Sequence, residues 1–578
     1  MAECFMKTVY LLVMIMVLLV ILLPSCVSVA YVPELPFQTV EVIAPDPVYV
    51  ARPGEMVTVE VVVRFRERQE GSVVLFEYEV VDRKGNVINT QQYETNVVLR
   101  TGAVLRAEVA IPEDYDQRWI GVQLVKCKVN NEEMPLRDQP PFGLAVKQDG
   151  PMYPEGALGN ILGVNQHYTQ GMSHEYLRLL TELGVKWARD NVSWALIEQT
   201  PGVYEFPEAF EKRLRFYEEN DIALSFTLFG PNRTAYPDDP YNPEAYGRFA
   251  AEVARKLSED YDLEFILILW NEPNNFGFRQ DFGGQWYGAP PSPWVEEYVK
   301  VANAGAKAIH AYDPSILTFT NSDVITNHYW FIDKGLAPEI KGFSIHPYGS
   351  KAGHPEIQGY GNNQPWIFPF RVMDDDQSTR SMFLRLRDAY AEELGHTPEM
   401  VVTEFGRLIE GVWEPGQAPF AENAEHLVAE ELPRFFILMA SLGVKSAQWF
   451  TLADWRAERG HGLVFEDGQR CLTFTAYKTL SLELGHYRLV EQIAGADSPF
   501  GVQAYLFEGS DGYKLAIWDT RGTSKVLITR DSTDPVRIVT HLGEELPVYH
   551  EGEVLEVDIG RGPLYISGVG SGCQVQIP

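Results

Sequence analysis

The sequence predicts an α/β protein: a (β/α)8 TIM barrel flanked by an N-terminal β-sandwich and a C-terminal β-sandwich. Three observations carry this prediction. Between Gly156 and Leu482, apolar strand-like runs alternate with helical stretches. On either side, β-branched and aromatic runs are broken by Gly-rich turns, without a helical period. Two of the central runs also end in a carboxylate. Phe265-Ile266-Leu267-Ile268-Leu269 leads into Trp270-Asn271-Glu272-Pro273-Asn274, and Met400-Val401-Val402 leads into Thr403-Glu404-Phe405-Gly406. Continuous apolar runs are the mark of parallel strands buried on both faces. Chemistry in such folds sits at the C-terminal ends of the strands. A chain of 578 residues is also too long for one core.

Residues 1–30 read as a leader. Val9 to Leu23 is an unbroken apolar stretch behind Lys7, the length of a secretory h-region and short for a spanning helix. Ser28-Val29-Ala30 is a small-x-small cleavage site, whereas Leu23-Pro24-Ser25-Cys26 resembles a lipobox with an atypical Pro24. The expected location is outside the cytoplasm, secreted or cell-surface anchored. Release, a membrane tether through lipidated Cys26 and an uncleaved signal anchor all remain open. Residues 31–150 form the predicted N-terminal sandwich, with strands at Met56–Val63 and Val73–Val81. Residues 151–486 are the barrel. Its strands are read at Ile161–Asn165, Val185–Asp190, Ala223–Leu228, Phe265–Trp270, Ile316–Asn321, Gly342–His346, Met400–Glu404 and Ala447–Thr451. Asn242-Pro243 and Ser292-Pro293 give helix starts, each a capping residue before a proline. The competing fold is an open doubly wound sheet. No Gly-rich phosphate fingerprint follows the first strand, which argues against a nucleotide site there. Residues 487–568 are the predicted C-terminal sandwich, opening on a hairpin through Gly509-Ser510-Asp511-Gly512, and 569–578 read as a tail.

A formal charge of −32 repels nucleic acid and anionic membrane surfaces, so neither is an expected partner. Beyond the leader only Cys127, Cys471 and Cys573 remain, too few and too scattered for a disulfide framework or a zinc site; one unassigned disulfide is possible. No metal and no cofactor is expected.

Two carboxylates converging from non-adjacent strands are the equipment for cleaving a glycosidic bond, one as proton donor and the other as nucleophile or base. The Trp270-Asn271-Glu272-Pro273 run on the fourth strand and Glu404 on the seventh resemble the clan A glycoside hydrolases. The resemblance implies that Glu272 is the acid/base, that Glu404 is the nucleophile and that configuration is retained. It also implies that Asn271 binds the sugar 2-hydroxyl and that Arg189, ending strand two, holds the nucleophile. His346 and Tyr348, ending strand six, are candidates to bond Glu404 or the sugar. Trp449 on strand eight is the expected platform under the sugar, and His167 after strand one is a further candidate. The segment Trp194–Phe206 and Phe343-Ser344-Ile345-His346-Pro347-Tyr348 are most similar to family 39, which includes bacterial exopolysaccharide hydrolases. Two aromatic loops, one with Phe276, Phe278, Trp286, Tyr287 and Trp294 and the other with Trp366, Phe368 and Phe370, would stack on further sugar units from Trp286 and Trp366, or pack on themselves. The expected partner is a poly- or oligosaccharide. A non-catalytic carbohydrate-binding barrel and a transglycosylase are the alternatives to a hydrolase.

Overall fold

The computed structural model describes residues 40–43, 48–64, 72–96, 102–134, 140–408, 424–455, 459–466, 468–548 and 552–578. The leader, with Cys26 and the processing sites, lies outside the described residues. Among the described residues no helix is long and apolar enough to cross a membrane.

Eight parallel strands close into a barrel in sequence order: Leu162–Asn165, Trp187–Ser193, Ala223–Phe229, Phe265–Leu269, Thr318–Ser322, Gly342–Ile345, Glu399–Phe405 and Ser446–Trp449. The open-sheet alternative is thereby excluded. Strand side chains alternate between the barrel interior and the surrounding helices. The interior floor is apolar, built by Trp187, Ala223, Ile266, Ile268, Phe319 and Val401. Above it the inward positions turn polar, with Asn165, Arg189, Thr227, Asn321, Ser344, His346 and Thr403, all buried. This polar tier carries the site. Strand closure also explains Gly342. A Cβ there would lie 1.8 Å from the carbonyl oxygen of Glu399 on the neighbouring strand.

The helices begin largely where the sequence places them. Asn242 caps Pro243–Asp260 by accepting from the Ala245 backbone N–H, and Pro293 opens the helix to Tyr312. Their apolar faces, for example Phe249, Val253 and Leu257, merge with the outer faces of the strands into the main core.

The N-terminal strands form two sheets. Val40–Ile43, Met56–Arg64 and Gly102–Ala110 make one; Val73–Asp82, Val87–Asn96, Trp119–Val129 and Phe142–Val146 form most of the other. They enclose a shared core of Val59, Phe76, Leu105 and Ile120. This unit is tied to the barrel by Arg83, which donates to the Glu182 carbonyl and to Ser481 Oγ.

The C-terminal strands again form two sheets around a core of Leu506, Ile517, Ile528 and Ile566. The last residues are not a free tail. Gln574–Gln576 pairs antiparallel with Ser524–Thr529, so the chain end completes the second sheet. The outer face of the first sheet is apolar. Tyr505, Phe507, Trp518 and Tyr565 pack into the barrel's own core, and Lys514 and Arg537 reach Glu483 at 2.8 and 2.9 Å. A protein ending at residue 486 should therefore expose the helix face that these rings cover. It is expected to aggregate or to bind a hydrophobic dye, as read by size exclusion and dye fluorescence. A monodisperse, dye-silent truncation would show that the two units fold apart. Cys127, Cys471 and Cys573 are buried free thiols, so no disulfide forms among them.

Candidate active site

The C-terminal ends of the barrel strands open into a cleft of about 700 Å³. Glu272 reaches it on a tight turn after the fourth strand. Trp270 and Glu272 both adopt left-handed backbone, with φ of 81° and 39°. For bulky residues this costs on the order of 1–3 kcal/mol each. The surroundings hold it in place. Trp270 Nε1 donates to the Phe276 carbonyl at 2.8 Å, and the Glu272 N–H donates to Asn321 Oδ1 at 2.7 Å. Asn321 in turn donates from Nδ2 to His346 Nε2 at 3.0 Å. That contact fixes the ring proton on Nδ1, which points at Glu272 Oε1, 2.6 Å away. The other oxygen, Oε2, accepts from Asn275 Nδ2 at 2.9 Å.

Glu404 ends the seventh strand and is also buried. Its Oε1 accepts from Arg189 Nη1, and its Oε2 accepts from the Tyr348 hydroxyl at 3.0 Å. Burial pushes its carboxyl up. His346 and Arg189 beside it outweigh burial and bring it down to about 2. Burial, then the charge of Glu404, pushes the Tyr348 phenol well up, so it stays a proton donor. Arg189 is itself held by Asn165 Oδ1 at 2.9 Å, Thr227 Oγ1 at 3.1 Å and Asn271 Oδ1 at 2.5 Å. The last contact commits the Asn271 oxygen and leaves its NH₂ for a ligand. One oxygen of each glutamate and a His346 ring nitrogen all lie within 4.8 Å of one another.

This geometry makes a pH prediction. Replacing Arg189 with Met removes a cation that lowers the Glu404 carboxyl. The acidic limb of the kcat/KM profile should then move upward, because a lowered folded pKa keeps the ionised form down to low pH only while its partner is present. An unmoved acidic limb would show that Arg189 does not act on Glu404.

Of the other expected residues, His167, Trp286 and Trp366 line the cleft. His167 stacks on Trp455 at 4.3 Å. Neither of its ring nitrogens has a hydrogen-bond partner, and burial drives its pKa down to about 3, so the ring is neutral. It offers one donor and one acceptor to a ligand. Trp449 is a correction. It is 2% exposed, lies outside the cleft lining and packs edge-on against Phe405, on the side of the helix Ala424–Ser441. Strand alternation gives the reason. Phe450, one residue on, has the opposite parity and lines the cleft with Trp455 and His461. The aromatic loops divide. Phe276, Trp286 and Trp366 reach the cleft, while Phe278 and Trp294 are core residues and Phe370 stacks on Tyr329. Asn275, Asp323 and Tyr360 also line the cleft and were not singled out in the sequence.

No family model matches this sequence, and no curated protein matches it. Solved structures do. A family 39 glycoside hydrolase from Bacteroides cellulosilyticus WH2 matches with a TM-score of 0.59 at 18% identity, over 91% of this chain and 99% of that one. A β-glucuronidase of Bacteroides uniformis matches with a TM-score of 0.38 at 14% identity, over 93% of this chain and 60% of that one. A β-galactosidase-like protein of Bacteroides fragilis matches with a TM-score of 0.35 at 12% identity, over 92% of this chain and 69% of that one. The fold is thus an eight-stranded parallel barrel with flanking β domains, as the closed strand order shows. Its arrangement, with the β domains included, is similar to that of the family 39 enzyme.

Proposed function

We propose that the protein is an exported, retaining β-glycoside hydrolase acting on a poly- or oligosaccharide. The observation that carries this reading is the carboxylate pair. Retaining enzymes hold their two carboxyls about 5–5.5 Å apart, whereas inverting enzymes leave about 6.5–9.5 Å for a water. Here one oxygen of each glutamate lies within 4.8 Å of the other, and the His346 Nδ1 approaches both, at 2.6 and 3.4 Å, so the two carboxyls face each other across one ring nitrogen. The two carboxyls also differ in their partners. Glu404 is ionised against Arg189 and aligned by Tyr348. Glu272 takes its contacts from the neutral amide of Asn275 and from His346, with no Lys or Arg among the described residues paired to it.

In this mechanism Glu404 attacks the anomeric carbon as Glu272 gives its proton to the leaving oxygen. A glycosyl ester forms on Glu404. Glu272, now a base, takes a proton from water, and that water opens the ester with the original configuration restored. The Asn271 NH₂ and the His167 ring are placed to hold the sugar hydroxyls. The test is a 2-deoxy-2-fluoro glycosyl trap followed by peptide mass spectrometry. Label on Glu404, together with a β-anomer as the first product by NMR, is expected. An α-anomer as the first product overturns retention.

Trp286 and Trp366 support an endo-acting groove, since both present aromatic surface to the same cleft. Trp286→Ala and Trp366→Ala should each cut kcat/KM on long oligosaccharides by roughly 10-fold, from about 1–3 kcal/mol of stacking by analogy with base–aromatic stacks. Aryl monosaccharides should be nearly unaffected. Equal losses on short and long substrates would favour a closed exo-acting pocket.

A further inference from the structure

We propose that Asp323 makes the cleft selective for glycans that place a protonated amino sugar beside Glu272, and closes it to uronates and to sulfated or phosphorylated sugars. This rests on the glycosidase reading above and names its substrate class.

Asp323 follows the fifth strand and lines the cleft. Its Oδ1 accepts from Asn274 Nδ2 at 2.8 Å, and its Oδ2 accepts from Asn275 Nδ2 at 2.9 Å. Both partners are neutral amides. Among the described residues no Lys or Arg pairs with it. A half-buried carboxylate without a countercharge is a costly arrangement. Burial, with Glu272 next, pushes its carboxyl up to about 7. Among the described residues the cleft has no cation to spare. Arg189 is the sole Lys or Arg among its lining residues, and its three nitrogens are committed to Glu404, Asn165, Asn271 and Thr227. The His167 ring is neutral. The cleft therefore sets the carboxyl groups of Glu272, Glu404 and Asp323 against one engaged guanidinium and the imidazole of His346, which is itself taken up by Glu272 and Glu404. A sugar carboxylate, sulfate or phosphate finds repulsion there and no partner among the described residues.

An ammonium finds the reverse. Asn275 links the pieces of the subsite. Its NH₂ bonds both Glu272 and Asp323, and its Oδ1 accepts from Trp286 Nε1 at 2.7 Å. The lone carboxylate thus sits next to the proton donor and in the same wall as an exposed indole. A carboxylate and an aromatic ring together are a good receptor for a cation. The neighbourhood of Glu272 is the leaving-group side, so the amine belongs to the sugar that departs first.

The test is calorimetric binding to the full chain at neutral pH and physiological salt. Four β-1,4 hexamers are compared: glucosamine, N-acetylglucosamine, glucose and glucuronate. The glucosamine hexamer should bind about 10-fold or more tightly than the glucose hexamer, as one desolvated charge pair allows. Acetylating the amine should erase that gain, and the glucuronate hexamer should bind least. In Asp323→Asn the glucosamine and glucose hexamers should bind equally. Circular dichroism confirms the fold of this variant, and the acetylated ligand tests the charge without it. The proposal is overturned if the glucosamine hexamer does not bind or shows no preference. It is also overturned if the preference survives in Asp323→Asn, which would assign it to the acidic surface at large. Failure of the glycosidase reading would appear separately, as an unlabelled Glu404 in the fluorosugar experiment, since this binding needs no turnover.

Discussion

Glu404→Ala should leave a folded protein whose turnover of an activated aryl β-glycoside falls by on the order of 10⁴-fold or more. In the proposed mechanism the residue forms the ester that divides one hard displacement into two easier ones. Tyr348 bonds to it, but burial and the Glu404 charge itself hold that phenol protonated. The vacated space lies beside Arg189 and suits a small anion. Azide should enter, attack from the same face and release the α-glycosyl azide. Glu272→Ala should behave differently. It should slow poor leaving groups most and activated ones least, because only the former need the proton. Glu404→Ala retaining wild-type-like turnover, with its melting temperature unchanged, would sink the assignment.

The parts of this site that were legible in the sequence are those with a local signature. Phe265–Leu269 is apolar without a break because it is buried on both faces, and the turn that follows carries Glu272 within a short, specific run. Glu404 was legible for the same reason. Trp449 was misplaced because the aromatic pair Trp449-Phe450 spans both parities of the eighth strand, and only the pairing register decides which ring faces inward. His346 was expected to serve Glu404 or the sugar. It does approach Glu404, at 3.4 Å, but its shorter bond is to Glu272. Both carboxylates face the same ring nitrogen, Nδ1, and Asn321 keeps the proton there from a neighbouring strand, a contact with no trace in sequence spacing. Asp323 was unreadable on similar grounds. A single Asp after a strand says nothing until Asn275 is seen to join it to Glu272. The C-terminal tail was misread because its partner strand, Ser524–Thr529, lies far back in the chain.

The largest stability effect is expected away from the cleft, at Glu356. This residue sits on a short strand, His354–Gln358, that follows the sixth barrel strand. Both of its oxygens bind Arg434 of the helix Ala424–Ser441, which is 0% exposed. Its Oε1 also accepts from Trp518 Nε1 of the C-terminal domain at 3.0 Å. One carboxylate thus joins a barrel loop, a barrel helix and the flanking sheet. Glu356→Ala strands a buried guanidinium and an indole N–H at once. The expected loss is about 3–5 kcal/mol, the range for breaking one half of a buried ion pair. The same physics sets the control. The double variant Glu356→Leu with Arg434→Met removes both charges and keeps the volume, so it should recover most of that loss. Urea unfolding followed by tryptophan fluorescence reads both variants. A single variant that melts like the wild type, or a double variant no better than the single, would show that this junction does not hold the domains together. The expected order, wild type near the double and both well above the single, would locate the coupling of barrel and C-terminal sheet in a charge pair whose value lies in being complete.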